Sequence, residues 1–302
     1  MIPYSLGCGA SFLYSDPDKV LDLSYPGRDV ILRHIAWLTR EGFLGVELGS
    51  NTFEHFVGIY DREFTATICA FLDDNSIKIV QMQADFLVPL ITANSRGDAK
   101  ERLDWVFGKV SELPCEIVSF SASLIPGFVS PHGYLFPGGP PSRIQLPNDF
   151  SWSNLWENYV EVVSLIVDRA VTHGIKVALE PRPREMVSTT DALLTLFRDV
   201  GSTSLGALVN TAYLFSQREY IPLSLQKLRD RVYATHLSDS DGLLEHRWAP
   251  GEGKIDWPET IKAFRSINYS GLLTLDVGVV GNPEYDFRQG KSFLERLMLT
   301  IS

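Results

Sequence analysis

Several short apolar runs in this sequence each end on a side chain that is able to bind a metal ion. VALE ends on Glu180, VYATH on His236 and LLTLD on Asp276, while LGALVN ends on Asn210, a neutral and weaker ligand. Carboxylate and imidazole groups are common ligands of divalent ions such as manganese, zinc, cobalt and magnesium. A carboxylate could also act as a general acid or base, so these residue types predict an enzyme site.

The runs have the composition of buried parallel strands, which are nearly continuous in apolar residues. In a barrel of parallel strands, the side chains at the strand carboxyl ends converge on one mouth, where active sites lie. Residues that are far apart in the sequence are therefore expected to meet around one ion. Asp239, three residues beyond the histidine, could orient a ligand from behind or only cap the following turn.

Strand-like and helix-like segments alternate along the chain, which predicts a parallel α/β fold. The predicted strands are Tyr4–Gly9, Gly45–Leu48, Lys78–Ala84, Ile117–Ser121, Lys176–Glu180, Ala207–Asn210, Val232–Leu237 and Leu272–Val277. The predicted helices are Arg28–Glu41, Asp61–Asp74, Gly97–Leu113, Ser153–His173, Thr189–Val200, Pro222–Asp230, Trp257–Ile267 and Tyr285–Thr300. Gly174 is placed to end the fourth helix in a left-handed conformation, and Asp256 with Pro258 marks the start of the seventh.

The composition indicates an ordinary globular core and excludes several kinds of partner. The chain has 302 residues, of which 45% are hydrophobic and 21% charged, and its formal net charge is −10. Such a chain repels phosphate backbones and anionic lipids, so neither nucleic acid nor a membrane is expected as a partner. No apolar run approaches the roughly 18 residues that span a bilayer, and the N-terminus lacks the basic region of a signal peptide. The widely spaced Cys8, Cys69 and Cys115 are expected to be buried thiols, which favours a cytoplasmic location.

The segment from Leu124 to Phe150 interrupts the alternation. It is rich in proline and glycine and contains Phe128, Tyr134 and Phe136, and this aromatic content argues against plain disorder. A loop of this length inside a compact domain is usually functional, and it would follow the fourth strand on the catalytic side of a barrel. We expect a lid or a subunit contact, with a long surface loop as the alternative. The loop and the barrel helices offer surface for a homodimer.

The strand-end residues also have structural alternatives. Glu180 is followed by Arg182 and Arg184 and could be held in an ion pair by either of them. His236 could be a core histidine whose nitrogens are both satisfied. Asp276 could simply pair with a basic group near the barrel mouth.

Further polar side chains are candidates for substrate binding. Glu47 ends the second strand, while Arg182 and Tyr213 follow the fifth and sixth strands. His246 and Arg247 precede the run WAPGEGKIDW, where a basic pair could hold a hydroxyl, carboxylate or phosphate group. Alternatively, Glu47 is structural, and His246 and Arg247 are solvated loop residues.

Five segments, in order along the chain, resemble the xylose isomerase-like TIM barrel superfamily. They read VALEPRP, ALVNTAY, THLSDSDG, HRWAPGEGKIDWPETIKAFRSINYSG and LLTLDV, and PGEGKIDW is the most specific local match. The resemblance implies a (β/α)8 TIM barrel in which residues 1–302 form a single domain. It also implies sugar chemistry, because the superfamily contains sugar and sugar phosphate isomerases and epimerases, inosose dehydratase-like enzymes and an apurinic endonuclease branch.

In the epimerase-like members, Glu, Asp, His and Glu ligands follow strands five to eight. By position these ligands fall on Glu180, Asn210, His236 and Asp276, so two match in type and two depart. A histidine that is usual three residues after the family's Asp is replaced by Tyr213. The resemblance thus implies a site for a divalent ion (manganese, zinc, cobalt or magnesium) that lacks one negative charge and one imidazole and has one shorter arm.

The expected function is that of a metal-dependent isomerase or epimerase acting on a small sugar or another polyhydroxylated carbonyl compound. The ion would stabilise enediolate charge, while Glu180 removes the proton beside the carbonyl and Asp276 returns it. Two alternatives are left open: a sugar-binding barrel whose metal site has decayed, and a related dehydratase or lyase. Endonuclease activity is not expected, because Gln81 and Ser119 stand in regions where that branch has further histidines.

Overall fold

Eight parallel strands form a nearly closed barrel in the part of the chain that the structure describes. This computed structural model describes residues 6–9, 27–124, 128–129, 143–144, 146–278 and 282–301. The barrel strands are β1 (Leu6–Cys8), β2 (Gly45–Ser50), β3 (Lys78–Ala84), β4 (Ile117–Ser121), β7 (Lys176–Glu180), β8 (Leu205–Asn210), β9 (Val232–His236) and β10 (Leu273–Leu275). They are hydrogen-bonded in the order β10-β1-β2-β3-β4-β7-β8-β9.

The barrel closes between β9 and β10, at the end that carries the predicted site. The amide of Leu237 donates to the carbonyl of Thr274 over 2.7 Å, and the amide of Asp276 donates to the carbonyl of Leu237 over 3.1 Å. Leu237 directly follows His236, so the bonds that close the barrel also bring His236 and Asp276 to the same level.

Helices alternate with the barrel strands. They are α1 (Arg28–Arg40), α2 (Phe53–Ile59), α3 (Arg62–Asn75), α4 (Leu87–Thr92), α5 (Arg96–Ser111), α6 (Trp152–Thr172), α7 (Thr190–Val200), α8 (Thr211–Ser216), α9 (Ile221–Leu228), α10 (Trp257–Ser266) and α11 (Pro283–Thr300). Several of them start at a short polar side chain: Asp61, Ser95 and Asp256 each accept a hydrogen bond from a first-turn amide, which stabilises a helix by about 1 kcal/mol.

The predicted α/β barrel is confirmed, and each predicted strand coincides with a barrel strand over the described residues. Gly174 adopts the expected positive φ of 71° beyond α6, and Asp256 and Pro258 begin α10 as predicted. The sequence pattern missed α2, α4 and α8, which have seven, six and six residues. Helices this short contain too few turns for an apolar periodicity to stand out.

Most of the predicted lid segment, Leu124–Phe150, lies outside the described residues. Within it, Phe128–Val129 (β5) pairs antiparallel with Arg143–Ile144 (β6). The lid, the homodimer and the single-domain assignment therefore stay predictions. Among the described helices, none is both long and apolar enough to cross a membrane. Cys8 and Cys115 are buried and Cys69 is partly buried, all as free thiols.

Candidate active site

The barrel strands bring the predicted strand-end residues to one mouth. Glu180, Asn210 and His236 are the last residues of β7, β8 and β9, and Asp276 directly follows β10. The parallel register places Asn210 beside His236. These residues are almost fully buried, with exposures of 1, 1, 2 and 3% in the order Glu180, Asn210, His236 and Asp276. Buried charges must be paired, so the pairings determine what this cluster can do.

His236 lies at the centre of the cluster and faces three carboxylates. Its Nδ1 is 2.7 Å from Oε1 of Glu180 and 3.7 Å from Oδ2 of Asp276, and its Nε2 is 2.6 Å from Oε2 of Glu47. Burial lowers the pKa of His236, but the charges of Glu47, Asp276 and Glu180 outweigh burial and raise this pKa well above its usual value. The ring is therefore an imidazolium with a proton on each nitrogen.

Both oxygens of Glu180 are engaged by donors. Oε1 accepts from Nδ2 of Asn210 at 2.9 Å and faces His236, and Oε2 accepts from Nε of Arg182. Burial raises the pKa of Glu180, but the charges of Arg182 and His236, together with the hydrogen bonds from His236 and Asn210, lower it well below its usual range. The ion pair that the sequence offered as an alternative for Glu180 is thus present, and its partner is Arg182.

Asn210 caps a helix and presents a donor to the cluster. Its Oδ1 accepts from the amide of Tyr213 at 3.2 Å, at the start of α8. Because the cap requires the oxygen, the orientation of the amide follows from the hydrogen-bond network. The atom that faces Glu180 is therefore the N–H-bearing nitrogen, which has no lone pair for a metal ion.

Asp276 is paired with an arginine from the loop that follows β9. Nη1 of Arg247 donates to Oδ2 of Asp276 over 2.7 Å. The amide of Gly278 donates to the carbonyl of Arg247 over 2.6 Å, which ties this loop to the segment that follows Asp276. Gly9 backs the carboxylate closely, since a Cβ at Gly9 would lie 2.9 Å from Oδ1 of Asp276. The position of Asp276 is thus defined by packing as well as by charge.

Sequence reasoning missed two residues that support the cluster, Asp85 and Gln81. Asp85 accepts from Nη1 of Arg182 and from the amide of Ser121, both at 2.9 Å. The Nε2 atom of Gln81 lies 3.2 Å from Nε2 of His236. Asp85 comes just after β3, so its position at a strand carboxyl end was the signal for it. Gln81 stands inside β3 and carried no such signal.

Four of the residues predicted to bind substrate lie at the cluster: Glu47, Arg182, Tyr213 and Arg247. Tyr213 is half-buried; burial raises the pKa of its hydroxyl, while the nearby Arg247 and Arg182 act in the opposite sense. His246 is placed differently. Its ring stacks on Trp248 at a centroid distance of 4.2 Å, and its Nε2 lies 3.8 Å from Oδ2 of Asp241, so these contacts do not involve the cluster.

Glu185 is a further carboxylate that the sequence did not single out. Its Oε2 is buried and has no hydrogen-bond partner among the described residues. Burial raises the pKa of Glu185 to about 8, although the charge of Arg182 acts against this rise. Glu185 is therefore mostly a neutral carboxylic acid near pH 7, in contrast to the ionised Glu180.

Asp239 organises the loop that contains the PGEGKIDW segment. Its carboxylate accepts from the amides of Gly251 and Ile255 at 2.9 and 3.1 Å and from the indole nitrogen of Trp257 at 2.7 Å. A Cβ at Gly253 would collide with the same carboxylate. The PGEGKIDW segment is thus packed around the buried Asp239. The contacts of this carboxylate are those of a residue that caps the loop.

A cavity of about 450 Å³ lies between α2 and α5. It is lined by Phe53, Val57, Asp98, Glu101, Arg102 and Trp105. None of these residues belongs to the cluster at the barrel mouth.

The side chains at the mouth do not fit a divalent metal ion as they are arranged. Both oxygens of Glu180, Oδ2 of Asp276 and both nitrogens of His236 face partners, and Asn210 presents N–H groups. Within the described ranges, no three or more His, Cys, Asp or Glu side chains form a group that could hold a metal. The metal implied by the resemblance stays a prediction. Two of its expected ligands, Glu180 and Asp276, instead accept hydrogen bonds from the guanidinium groups of Arg182 and Arg247.

A parallel barrel with acid and base groups at its carboxyl-end mouth is the architecture of a TIM barrel enzyme. The chain belongs to the xylose isomerase-like TIM barrel family, whose model matches residues 35–297.

The chain is similar to several sugar-converting enzymes. It is 28% identical to fructoselysine 3-epimerase of Escherichia coli O157:H7 over 126 residues, which are 41% of this chain and 46% of that protein. It is 25% identical to inosose isomerase of Bacillus subtilis (strain 168) over 134 residues, 42% of this chain and 47% of that protein. The chain thus spans about half the length of these curated relatives. The structure of L-ribulose 3-epimerase shares the fold, with a TM-score of 0.73, 14% identity and coverage of 99% of this chain and 95% of that one.

Proposed function

We propose that this chain is an isomerase or epimerase of a small sugar or related polyhydroxylated carbonyl compound. One observation carries the proposal: the carboxylates of Glu180 and Asp276 lie at the barrel mouth, 2.7 and 3.7 Å from the same nitrogen of His236. Two carboxylates that can exchange protons through one imidazole suit a reaction in which a proton leaves and returns. The names of the similar proteins, which are epimerases and an isomerase, support the same class of reaction.

The reaction starts with removal of a proton from the carbon beside the substrate carbonyl. Glu180 takes the proton, the electron pair of the broken C–H bond forms a carbon–carbon double bond, and the carbonyl oxygen gains the negative charge. Asp276 then passes a proton from the His236 imidazolium to the same carbon on the opposite face while the carbonyl re-forms, which yields an epimer. Alternatively, it protonates the former carbonyl carbon while the neighbouring hydroxyl passes its proton to the former carbonyl oxygen and becomes the new carbonyl, which yields an isomer. The proton that Glu180 has taken then restores the imidazolium of His236, whose Nδ1 lies 2.7 Å from Oε1 of Glu180.

Substrate binding must strengthen Glu180 as a base. Burial raises the pKa of Glu180, and the charge of Arg182 lowers it. A substrate oxygen that draws the guanidinium of Arg182 away would therefore raise the pKa of Glu180 and make proton removal easier. Arg182 is well placed for this movement, because its side chain is 22% exposed whereas that of Glu180 is 2% exposed.

Proton exchange tests the proposal directly. The protein is incubated in D2O with D-psicose, D-fructose and L-ribulose, and NMR follows deuterium entering the carbon beside the carbonyl. We expect exchange with at least one ketose, and Glu180→Gln or Asp276→Asn should slow it by about 10²–10⁴-fold. Glu161→Gln, at a side chain that is 58% exposed on α6, is the matched control and should change little.

Other outcomes identify the alternatives. A wild-type protein that binds a ketose but exchanges no proton would contradict the proposal and indicate a sugar-binding barrel. A product with the absorbance of a new conjugated carbonyl would instead indicate a dehydratase or lyase.

A further inference from the structure

We propose that Arg182 and Arg247 take the place of the divalent cation that the family's strand-end ligands hold, so that two guanidinium groups bind and polarise the substrate oxygens. The first part of the proposal, that the arginines occupy the cation position, depends only on the contacts described here. The second part, that they polarise the substrate, rests on the proposed function. The two parts can therefore be tested separately.

The arginines pair with Glu180 and Asp276, the two carboxylates at the positions of the family's first and last metal ligands. Arg182 donates through Nε to Oε2 of Glu180, and Arg247 donates through Nη1 to Oδ2 of Asp276 over 2.7 Å. Both carboxylates also face Nδ1 of His236. The two guanidinium groups thus flank the centre of the cluster, where a cation shared by these ligands would lie.

The guanidinium groups are built into the mouth. Asp85 accepts from Nη1 of Arg182 at 2.9 Å and is itself fixed by the amide of Ser121 at 2.9 Å. Arg247 is held through its own backbone, whose carbonyl accepts from the amide of Gly278 over 2.6 Å. Their side chains are 22 and 29% exposed, so each group is anchored on one side and open to the mouth on the other.

A permanent positive charge on either side disfavours a divalent ion at every accessible pH. Guanidinium groups keep their proton in proteins, so the repulsion cannot be titrated away. Asn210 acts in the same direction, because it adds an N–H donor toward Glu180 where the family has a third carboxylate. Asn210 in place of the family's aspartate and the presence of the two arginines thus act together: both make the position less favourable for a divalent ion.

The free donors fit the substrate class of the proposed reaction. A guanidinium carries five N–H groups, and the described contacts of Arg182 use two of them while those of Arg247 use one. The remaining donors can hold two neighbouring oxygens in a forked pair of hydrogen bonds. A carbonyl oxygen and the hydroxyl on the next carbon present such a pair. As an enediolate forms, both oxygens become more negative, and these hydrogen bonds strengthen. The substrate class is therefore an α-hydroxy ketone or aldehyde.

Manganese binding tests the occupancy of the cation position without any turnover. Isothermal titration with MnCl2, with metal analysis after gel filtration, is applied to the wild type, Arg182→Met, Arg247→Met and the control Arg184→Met. Arg184 belongs to the same loop but pairs with Glu245 on the rim. We expect the wild type and the control to bind no Mn²⁺ up to about 1 mM. Each of the other two variants should gain affinity by about tenfold or more, because one repelling charge is gone.

The outcomes are decisive in both directions. One Mn²⁺ per wild-type chain, or no gain of Mn²⁺ binding in folded Arg182→Met and Arg247→Met, overturns the proposal. If these variants melt at low temperature, Mn²⁺ should raise their Tm but not that of the control, and failure to do so counts equally against it. The lysine variants Arg182→Lys and Arg247→Lys retain the charge and should stay unresponsive to Mn²⁺.

Exchange with D-psicose in D2O tests the polarising role. Wild-type exchange should persist in EDTA, and Arg182→Lys or Arg247→Lys should slow it by about 10²-fold, because lysine lacks the forked donors. Exchange that EDTA abolishes, or lysine variants at the wild-type rate, would overturn this role. If the wild type exchanges no proton while the Mn²⁺ results hold, the proposed function fails and the replacement of the cation stands.

Discussion

Replacement of Asp239 by alanine should destabilise the protein and also displace the site. Asp239 is fully buried. Its carboxylate is the common acceptor for the amides of Ser240, Gly251 and Ile255 and for the indole nitrogen of Trp257. Its backbone pairs with Trp248 through hydrogen bonds of 2.8 and 3.1 Å, next to Arg247. The loop that carries Arg247 is therefore attached to the barrel at Asp239.

The expected loss follows from the donors that Asp239→Ala leaves without an acceptor. A hydrogen bond to a charged group contributes about 1.5–3 kcal/mol, and a buried donor left unpaired costs about 1–3 kcal/mol. Four such donors, partly rescued by water entering the vacated space, give a loss of about 4 kcal/mol. At about 2.1 cal/mol/K per residue, the unfolding entropy of 302 residues is about 0.6 kcal/mol/K. The Tm should therefore fall by about 6 °C.

Thermal unfolding followed by circular dichroism measures this loss. Asp241→Ala is the matched control, since Asp241 also accepts backbone amides, from Leu243 and Leu244 at 2.7 and 3.2 Å, but at the surface. Water can replace those bonds, so the control should melt within about 2 °C of the wild type. If Asp239→Ala melts no lower than Asp241→Ala, the carboxylate does not hold the loop, and the account of how Arg247 is positioned fails.

Two further predictions concern the same mouth. Burial raises the pKa of Glu185 from an ordinary value of 4.5 to about 8, so its contribution to stability is present below pH 4.5 and is lost as the pH rises to about 8. The Tm of Glu185→Gln should therefore fall less between pH 5 and 8 than the Tm of the wild type. Parallel Tm profiles of the variant and the wild type would contradict this. Trp257→Phe removes one donor to Asp239 and should cost about 1–2 kcal/mol. In the Asp239→Ala background it should cost clearly less in a thermal double-mutant cycle; full additivity would show that the two groups do not interact.

The positions of the site residues were predictable because, in a parallel barrel, a residue at the carboxyl end of any strand lies at the same mouth. Glu180, Asn210 and His236 each end an apolar run, and parallel strands with matched register bring such ends to one level. For this reason the convergence could be expected without a structure. Asp85 follows the same rule, because it comes directly after the last residue of β3.

The pairings within the site were much harder to predict. Glu47 and His236 are 189 positions apart, and Arg247 and Asp276 are 29 apart. No local pattern says which of several arginines near a barrel mouth will reach which carboxylate, because side-chain reach depends on the three-dimensional arrangement. Arg184 illustrates this. It is only four residues from Glu180 in the sequence, yet it pairs with Glu245, and Arg182 pairs with Glu180.

The short helices α2, α4 and α8 escaped prediction for a different reason. Each begins within three residues of the end of a barrel strand. With seven, six and six residues, each of these helices has at most two turns. In such segments the packing against the barrel, not the local propensity, decides the conformation. The main helices were predictable because they are long enough to show an apolar face.

Asn210 shows how one substitution can alter chemistry while it preserves the fold. An aspartate at this position could cap α8 with one oxygen and offer the other to a cation. Asparagine keeps the cap, as the 3.2 Å bond from the amide of Tyr213 shows, but the second atom becomes a donor 2.9 Å from Glu180. The change therefore removes one negative charge and adds an N–H group at no cost to the helix start. Because Arg182 donates to the same carboxylate, the asparagine fits a cluster organised around guanidinium groups better than one organised around a metal ion.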